Sequence, residues 1–469
     1  MVALRLAGCL ACCLLGLAGA AEEKQPAGEP AKPEATATPP PASPRVVTEE
    51  GQVIAAEEVE EPDLAELPLS NAARVRLDVA RDAVVQIRGF LGNAQTSAFH
   101  GSGFAVGPDG FIVTNYHVVS EAVLHPQRFR LEYVTSDNRS GRLRVYAIDI
   151  RNDLAVVKAD IDLMLPALRL RRDIPRQGAR AYSIGFPLNL GLTITEGVAN
   201  GLVDTGFDQR IHYTGAINGG MSGGPALDAG GGVFGVNVSV VTGRQLVGFV
   251  VPARHIEPLL QRARAPLDQL SAQQVRNMVA QQALVHEAAV LEAGPPRQAT
   301  QTVFGFTLPT RLAAAFECST TGASEAPQGV QQESIGCFAR AGVLLQLDLE
   351  VGRVDFQHRV LRTQGLHALQ FAQRLNAMAA DRRRNALAQH VAPFACRDAL
   401  VSLDGFDARV STCVRQYRLF TGLYDIAVTV TSIHSMERAV VSQLDLRGVG
   451  FEPGMQFVRR FLGAMQWKP

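Results

Sequence analysis

The chain has no surplus charge of either sign: among 469 residues, 45 Lys and Arg face 45 Asp and Glu. That balance excludes a global field able to gather nucleic acid or an anionic membrane, so no nucleic-acid partner is expected, while local patches stay open. The apolar run from Leu6 to Leu17 falls short of the roughly 20 residues that a membrane-spanning helix requires. Beyond residue 20 there is no CxxC pair, which argues against zinc. No repeat recurs at a fixed period, which sets solenoid architectures aside. No metal and no cofactor are expected.

What is present is the composition of a globular protein, 47% hydrophobic and 19% charged. A chain of this length divides into two or three domains, each able to bury a core without disulfide staples. Arg5 is the only early charge, the apolar run follows it, and Ala18-Gly19-Ala20 supplies a small-residue cleavage pattern. Residues 1–20 therefore read as a cleaved secretory signal, with a membrane anchor as the competing reading. Leu6-Ala7-Gly8-Cys9 also looks like a lipoprotein box that would leave a lipidated Cys9, although almost no apolar segment precedes it. Residues 21–70, rich in Ala, Pro, Glu and Thr, lack the large apolar side chains needed to repay the entropy of folding and read as a flexible tether.

Between residues 71 and 265 the texture changes to short Val, Ile, Leu and Phe runs broken by Gly, Asp-Gly and Asn. Gly103-Phe104-Ala105-Val106, Pro108-Asp109-Gly110 and Phe111-Ile112-Val113 give strand, turn, strand, the spacing of an all-β barrel domain. After Pro266, Ser271 and Gln274 form a capping-box pattern ahead of a Gln, Ala, Val and Leu stretch, which predicts a helical linker over 266–295. Residues 300–469 mix strand-like runs (343–351, 425–433, 440–446) with helical ones (366–388, 455–465) and read as an independent α+β domain. Arg382-Arg383-Arg384 there reads as a solvated helix face.

Three of the seven cysteines lie within the signal. The other four, Cys318, Cys337, Cys396 and Cys413, are an even set in an exported chain, which favours disulfides over buried free thiols. Of the three possible connectivities, the short-loop pairs 318–337 and 396–413 are preferred.

The chemistry-bearing residues lie in the β-rich part. Asn218-Gly219-Gly220-Met221-Ser222-Gly223-Gly224-Pro225 puts a serine in a glycine-dense turn, where missing side chains let backbone N–H groups swing toward a substrate carbonyl. Ser222 is the candidate nucleophile, and Gly220 and Ser222, helped by Met221, are the candidate oxyanion hole. Thr114-Asn115-Tyr116-His117-Val118-Val119 places an imidazole at the end of an apolar strand, beyond Gly101-Ser102-Gly103-Phe104. Arg151-Asn152-Asp153-Leu154-Ala155 places a carboxylate just before another strand. Each alone reads blandly, as a loop serine, a core histidine and a turn aspartate; together they supply the nucleophile, base and tautomer-fixing carboxylate of serine hydrolysis.

These motifs, in the order His117, Asp153, Ser222, resemble the HtrA-like branch of the trypsin-like serine proteases. Ile184-Gly185-Phe186-Pro187, the strand 233–237 and Gly248-Phe249-Val250-Val251-Pro252 extend the resemblance over about residues 75–262, less than half of the chain. It implies a multidomain protein with an all-β double β-barrel protease domain, a His117, Asp153 and Ser222 triad, a periplasmic or secreted location, and protein or peptide substrates, unfolded ones foremost. By the same register Ala216, Ile217, Val238 and Val240 line the primary specificity pocket, with no acidic residue among them, which predicts small or medium aliphatic side chains. Met221 stands where relatives carry Asn or Asp, so no ion pair to a newly cut N-terminus is expected, and Gly215 replaces a common acidic residue. No PDZ-type carboxylate-binding loop is visible after Pro266; the C-terminal region reads as a packing, oligomer-forming or partner-binding domain. The competing functional reading is an inactive protease-fold scaffold that acts through that domain.

Overall fold

The computed structural model describes residues 46–47, 53–54, 71–160, 163–187, 190–204, 209–238, 248–292, 299–313, 316–322, 329–339, 341–379 and 388–468. The signal, most of the tether, Val240 and the run Arg382–Arg384 lie outside these. Residues Met1–Pro68 form a unit of their own, in which β1 (Val46–Val47) and β2 (Val53–Ile54) pair antiparallel. The second unit, Leu69–Pro469, holds all the remaining elements.

Following α1 (Asn71–Asp82), the short apolar runs pair into hairpins that close two six-stranded barrels. The first holds β3 (Val84–Leu91), β4 (Phe99–Val106), β5 (Phe111–Thr114), β6 (Phe129–Thr135), β7 (Ser140–Asp149) and β8 (Leu154–Ala159), with α2 (Tyr116–Leu124) between β5 and β6. The second holds β9 (Ala179–Gly185), β10 (Thr193–Asp204), β11 (Gln209–Tyr213), β12 (Pro225–Asp228), β13 (Val233–Val238) and β14 (Gly248–Pro252), followed by α3 (Ile256–Arg262). Strand alternation explains why many strands are apolar on both faces. Val85 and Ile87 fill the first barrel, while Val84, Val113 and Val156 face outward and meet Tyr182, Ile184, Val236 and Val251 of the second barrel in a shared core. The second barrel has its own small interior of Ala181, Ile211, Tyr213, Phe234 and Val250.

At Ser271 the capping box forms reciprocally: Ser271 N–H donates to Gln274 Oε1 at 2.9 Å and Gln274 N–H to Ser271 Oγ at 3.2 Å. The helix it opens, α4 (Ala272–Glu292), is more than a connector. Its Val275, Val279, Ala280 and Ala283 join the core of the first barrel, and its Val290 and Leu291 join that of the C-terminal region. The change of texture at Pro266 thus marks the change of architecture from barrels to a β-rich C-terminal region with helices, and α4 contributes side chains to the cores on both sides of it.

In the C-terminal region β15 (Ala299–Val303), β16 (Phe306–Arg311) and the terminal β26 (Gln466–Trp467) make a small sheet. Seven strands make the main antiparallel sheet: β17 (Phe316–Thr321), β18 (Val330–Ala339), β21 (Val354–Thr363), β22 (Ala395–Leu403), β23 (Phe406–Gln416), β24 (Leu423–Ser432) and β25 (Arg438–Gly450), in the order β17-β18-β21-β25-β24-β23-β22. Leu361 and Val441 pack with Phe371 and Leu375 of α5 (Ala368–Ala379), whereas their neighbours Val360 and Val440 pack with Phe457 and Phe461 of α6 (Phe451–Gly463), so the helices cover opposite faces. The run 343–351, read as one strand from its apolar residues, is a hairpin of β19 (Val343–Gln346) and β20 (Leu349–Val351). Its polar Gln346 and Asp348 bracket the turn and split the run.

Both short-loop disulfides are present, Cys318–Cys337 and Cys396–Cys413. Each joins residues directly opposite on paired strands, β17 with β18 and β22 with β23. Among the described residues no helix is long and apolar enough to cross a membrane.

Candidate active site

His117 lies in the first turn of a helix, where the sequence suggested a strand end. Asn115 takes the extended conformation at the N-cap position but does not cap with its side chain; instead Asn115 Nδ2 donates to the Asp153 carbonyl at 2.7 Å. That bond holds Asp153 in a left-handed backbone conformation, φ 56°, which few non-glycine residues adopt without support. The Asp153 carboxylate then grips His117 twice: Oδ1 accepts the His117 backbone N–H at 2.9 Å and Oδ2 lies 2.7 Å from Nδ1. An imidazole held through Nδ1–H presents Nε2 as a proton acceptor. The two side chains are 18% and 15% exposed, so solvent screens them little. Burial disfavours the charged ring, but the charge and hydrogen bond of Asp153 outweigh it and hold the His117 pKa above its usual 6.5.

The Gly-Ser turn is fastened to the strands leading to His117. Ser102 N–H donates to the Ser222 carbonyl at 2.8 Å, Ser102 Oγ donates to the Gly220 carbonyl at 2.7 Å, and Thr114 Oγ1 donates to the Ser102 carbonyl at 2.7 Å. Two glycines permit this approach. At Gly223, φ +88°, a Cβ would stand 2.1 Å from the Ser102 carbonyl oxygen and 2.3 Å from Thr114 Oγ1; at Gly101 it would stand 2.6 Å from Val118 and 3.2 Å from the Ser222 carbonyl oxygen. The serine turn and the helix bearing His117 therefore meet at Gly101. Ser222 is buried, at 3% exposure. Met221 is buried as well, and its N–H donates to the Asn218 carbonyl at 3.0 Å, so of the three expected oxyanion donors this one is engaged inside the turn.

Of the expected pocket residues, Ala216 is exposed and its carbonyl accepts Thr195 Oγ1 at 2.9 Å. Ile217 is half-buried against the second barrel's interior, and Val238 against the core between the barrels. Val240 lies outside the described residues. A separate cleft of about 350 Å³, lined by Val123, Phe129, Arg142, Leu143 and Leu267 among others, opens near the far end of α2 and includes none of these groups. Among the described residues no three His, Cys, Asp or Glu side chains gather as a metal set.

Ser102, Thr114 and Asn115 stand inside the sequence motifs, which assign them no role. All three are fully buried polar residues. A small polar residue set in an otherwise apolar strand was the available signal, because a buried polar group must find a partner.

Comparison with known proteins bears on the same region. Residues 101–236 match the family model described as a trypsin-like peptidase domain. A "Probable periplasmic serine endoprotease DegP-like" of Chlamydia trachomatis is 35% identical over 168 residues, covering 34% of this chain and 32% of the relative. "Serine protease HTRA1B" of Danio rerio is 33% identical over 191 residues, 38% of each chain. The crystal structure of a serine endoprotease from Yersinia pestis aligns at 26% identity with a TM-score of 0.36, over 42% of this chain and 68% of that one. The chain spans about a third of the length of the curated relatives it matches. Residues 101–236 thus carry a trypsin-like peptidase domain, built here as a closed double barrel, and the β-barrel part of the chain is similar in sequence to DegP-like and HtrA-type serine proteases.

Proposed function

We propose that the chain is an exported serine endopeptidase in which His117, Asp153 and Ser222 act as the catalytic triad. Ser222 Oγ attacks the scissile carbonyl while His117 Nε2 takes its proton; the imidazolium that forms is stabilised by Asp153 and then protonates the leaving amine. Backbone N–H groups of Gly220 and Ser222 stabilise the oxyanion, the Met221 N–H being committed to the turn. The observation that carries this reading is the double grip of Asp153 on His117, which fixes both the tautomer and the ring orientation a general base needs. Export is supported by the signal-like start, the two disulfides and the periplasmic designation of the Chlamydia relative. The resemblance's register assigns Ala216, Ile217 and Val238 to the primary pocket, and their aliphatic character suits unfolded polypeptide substrates with small or medium aliphatic residues at the cut.

The test is digestion of an unfolded model protein by the wild type and by Ser222→Ala, with cut sites mapped. Turnover should fall on the order of 10⁴- to 10⁶-fold in the variant, and cuts should follow small aliphatic residues. Undiminished cleavage by purified Ser222→Ala would refute the triad.

A further inference from the structure

Both members of the His117–Asp153 pair are held from outside the barrel that carries them. Tyr116, the residue before His117, is fully buried, and its hydroxyl donates to the Leu345 carbonyl at 2.6 Å, 229 residues along the chain. Leu345 falls where the pairing of β19 with β20 slips between Leu344 and Gln346, a bulge that takes its carbonyl out of the hairpin ladder and leaves it open to an outside donor. The hairpin has firm footing on both sides. Val343, Leu345, Leu349 and Val351 are buried in one core with Val119 and Val123 of α2, and Asp348 in the turn lies 3.1 Å from His390 Nε2 and accepts Gln346 Nε2 at 2.8 Å. On the carboxylate side, Gln282 of α4 accepts the Ile150 N–H at 3.0 Å and donates to the Ile148 carbonyl at 3.3 Å, while the Ile150 carbonyl accepts the Asp153 N–H at 3.3 Å.

We propose that the chain beyond Pro266 is a brace for the His117–Asp153 pair, with Tyr116 and Gln282 as positioning residues that act on the helix bearing the imidazole and on the turn bearing the carboxylate. The catalytic consequence rests on the peptidase reading above, and the brace gives the C-terminal region a role in that site. Neither residue touches substrate. A hydroxyl bond at the first residue of α2 fixes the helix's roll, and so where the ring of His117 points. The Gln282 clamp fixes the height of the turn that carries Asp153. Small displacements of either would loosen a contact whose catalytic value depends on sub-ångström placement.

The experiment uses the full chain with Tyr116→Phe, Gln282→Leu and, as a control, Val354→Ala, which weakens the C-terminal core without touching either contact. Two readouts are taken: kcat and KM on a peptide substrate, and the His117 titration midpoint by NMR in a Ser222→Ala background, which needs no activity. Each positioning variant should lose about threefold to tenfold in kcat with KM nearly unchanged. Its His117 midpoint should fall, because Asp153 is what raises it. Val354→Ala should melt at lower temperature and leave both readouts alone. If Tyr116→Phe and Gln282→Leu behave like Val354→Ala, the brace is overturned; should Tyr116→Phe not fold, Gln282→Leu alone decides. An inactive wild type whose midpoint still moves in the variants would sink the peptidase reading and keep the brace. An active wild type with unmoved variants would do the reverse.

Discussion

His358 sits wholly inside the C-terminal sheet, with Nε2 donating to the Pro309 carbonyl at 2.8 Å and Nδ1 2.7 Å from Ser442 Oγ. A carbonyl can only accept, so Nε2 carries a proton; in the neutral ring that burial favours, Nδ1 accepts from the Ser442 hydroxyl. Burial pushes its pKa from 6.5 down to about 4, against a smaller upward pull from the Pro309 hydrogen bond. The unfolded chain therefore takes up a proton between about pH 6.5 and 4 that the folded chain refuses. The stabilisation is full above pH 6.5 and is lost as the pH falls through about 4, a change of about 3 kcal/mol at about 1.4 kcal/mol per unit. His125, His255 and His434, also lowered, act in the same direction, whereas His117, raised, acts in the opposite one. A variant isolates the His358 share. His358→Phe keeps the ring stacked on Phe461 but orphans Ser442 Oγ and the Pro309 carbonyl, costing about 1–3 kcal/mol at neutral pH. The only tryptophan, Trp467, lies in the C-terminal region beside Phe306 and His434, so its fluorescence follows unfolding of that region in urea. The wild-type and His358→Phe stabilities should converge as the pH drops from about 7 to about 4.5. Parallel curves would show that His358 does not titrate in this window, and the burial argument would be wrong.

Three further outcomes follow from the site. Asp153→Asn removes the charge that stabilises the imidazolium and should lower kcat by about 10⁴, measured at saturating peptide substrate; a loss under tenfold would remove Asp153 from the mechanism. Because His117 must be neutral to act as base and its pKa is raised, the acid limb of kcat/KM should have its midpoint above 6.5, and a profile flat through neutrality into acid would count against it. Gly223→Ala drives a Cβ into the Ser102 carbonyl at a left-handed backbone position, so it should cost about 2 kcal/mol or more and abolish labelling by a covalent serine probe; normal labelling would contradict the close approach of Gly223 to Ser102.

The barrel region was legible because its signal is local: short β-branched runs, Gly-bearing turns and three motifs that each fit within a few residues. The disulfide pairs were legible for a similar reason, since cysteines separated by 19 and 17 residues in adjacent strands of an antiparallel sheet face each other. What the sequence hid was long-range. Val119 and Val123 look like ordinary barrel core in a one-dimensional pattern, and nothing in them announces that Val343, Leu345, Leu349 and Val351 of β19 and β20 share that core. Tyr116 likewise reads as one more apolar residue of its run, because the partner of its hydroxyl is a backbone carbonyl, which any residue supplies. The hairpin at 343–351 was hidden by its own apolar residues, whose alternation on either side of a two-residue turn mimics a single strand.

The two disulfides occupy corresponding places at opposite sides of the seven-stranded sheet, each fastening an outermost strand to its inner neighbour. β22 is exposed along most of its length and has little core to hold it. Under the proposed endopeptidase activity, a frayed border would itself be a substrate. Cleavage needs a segment to leave the fold long enough to be threaded into a cleft, and a strand pinned covalently at one point recloses before it can travel. Under that same proposed activity the bridges guard both borders against other copies of the chain, and under reducing conditions self-digestion should begin at residues 316–321 and 395–403.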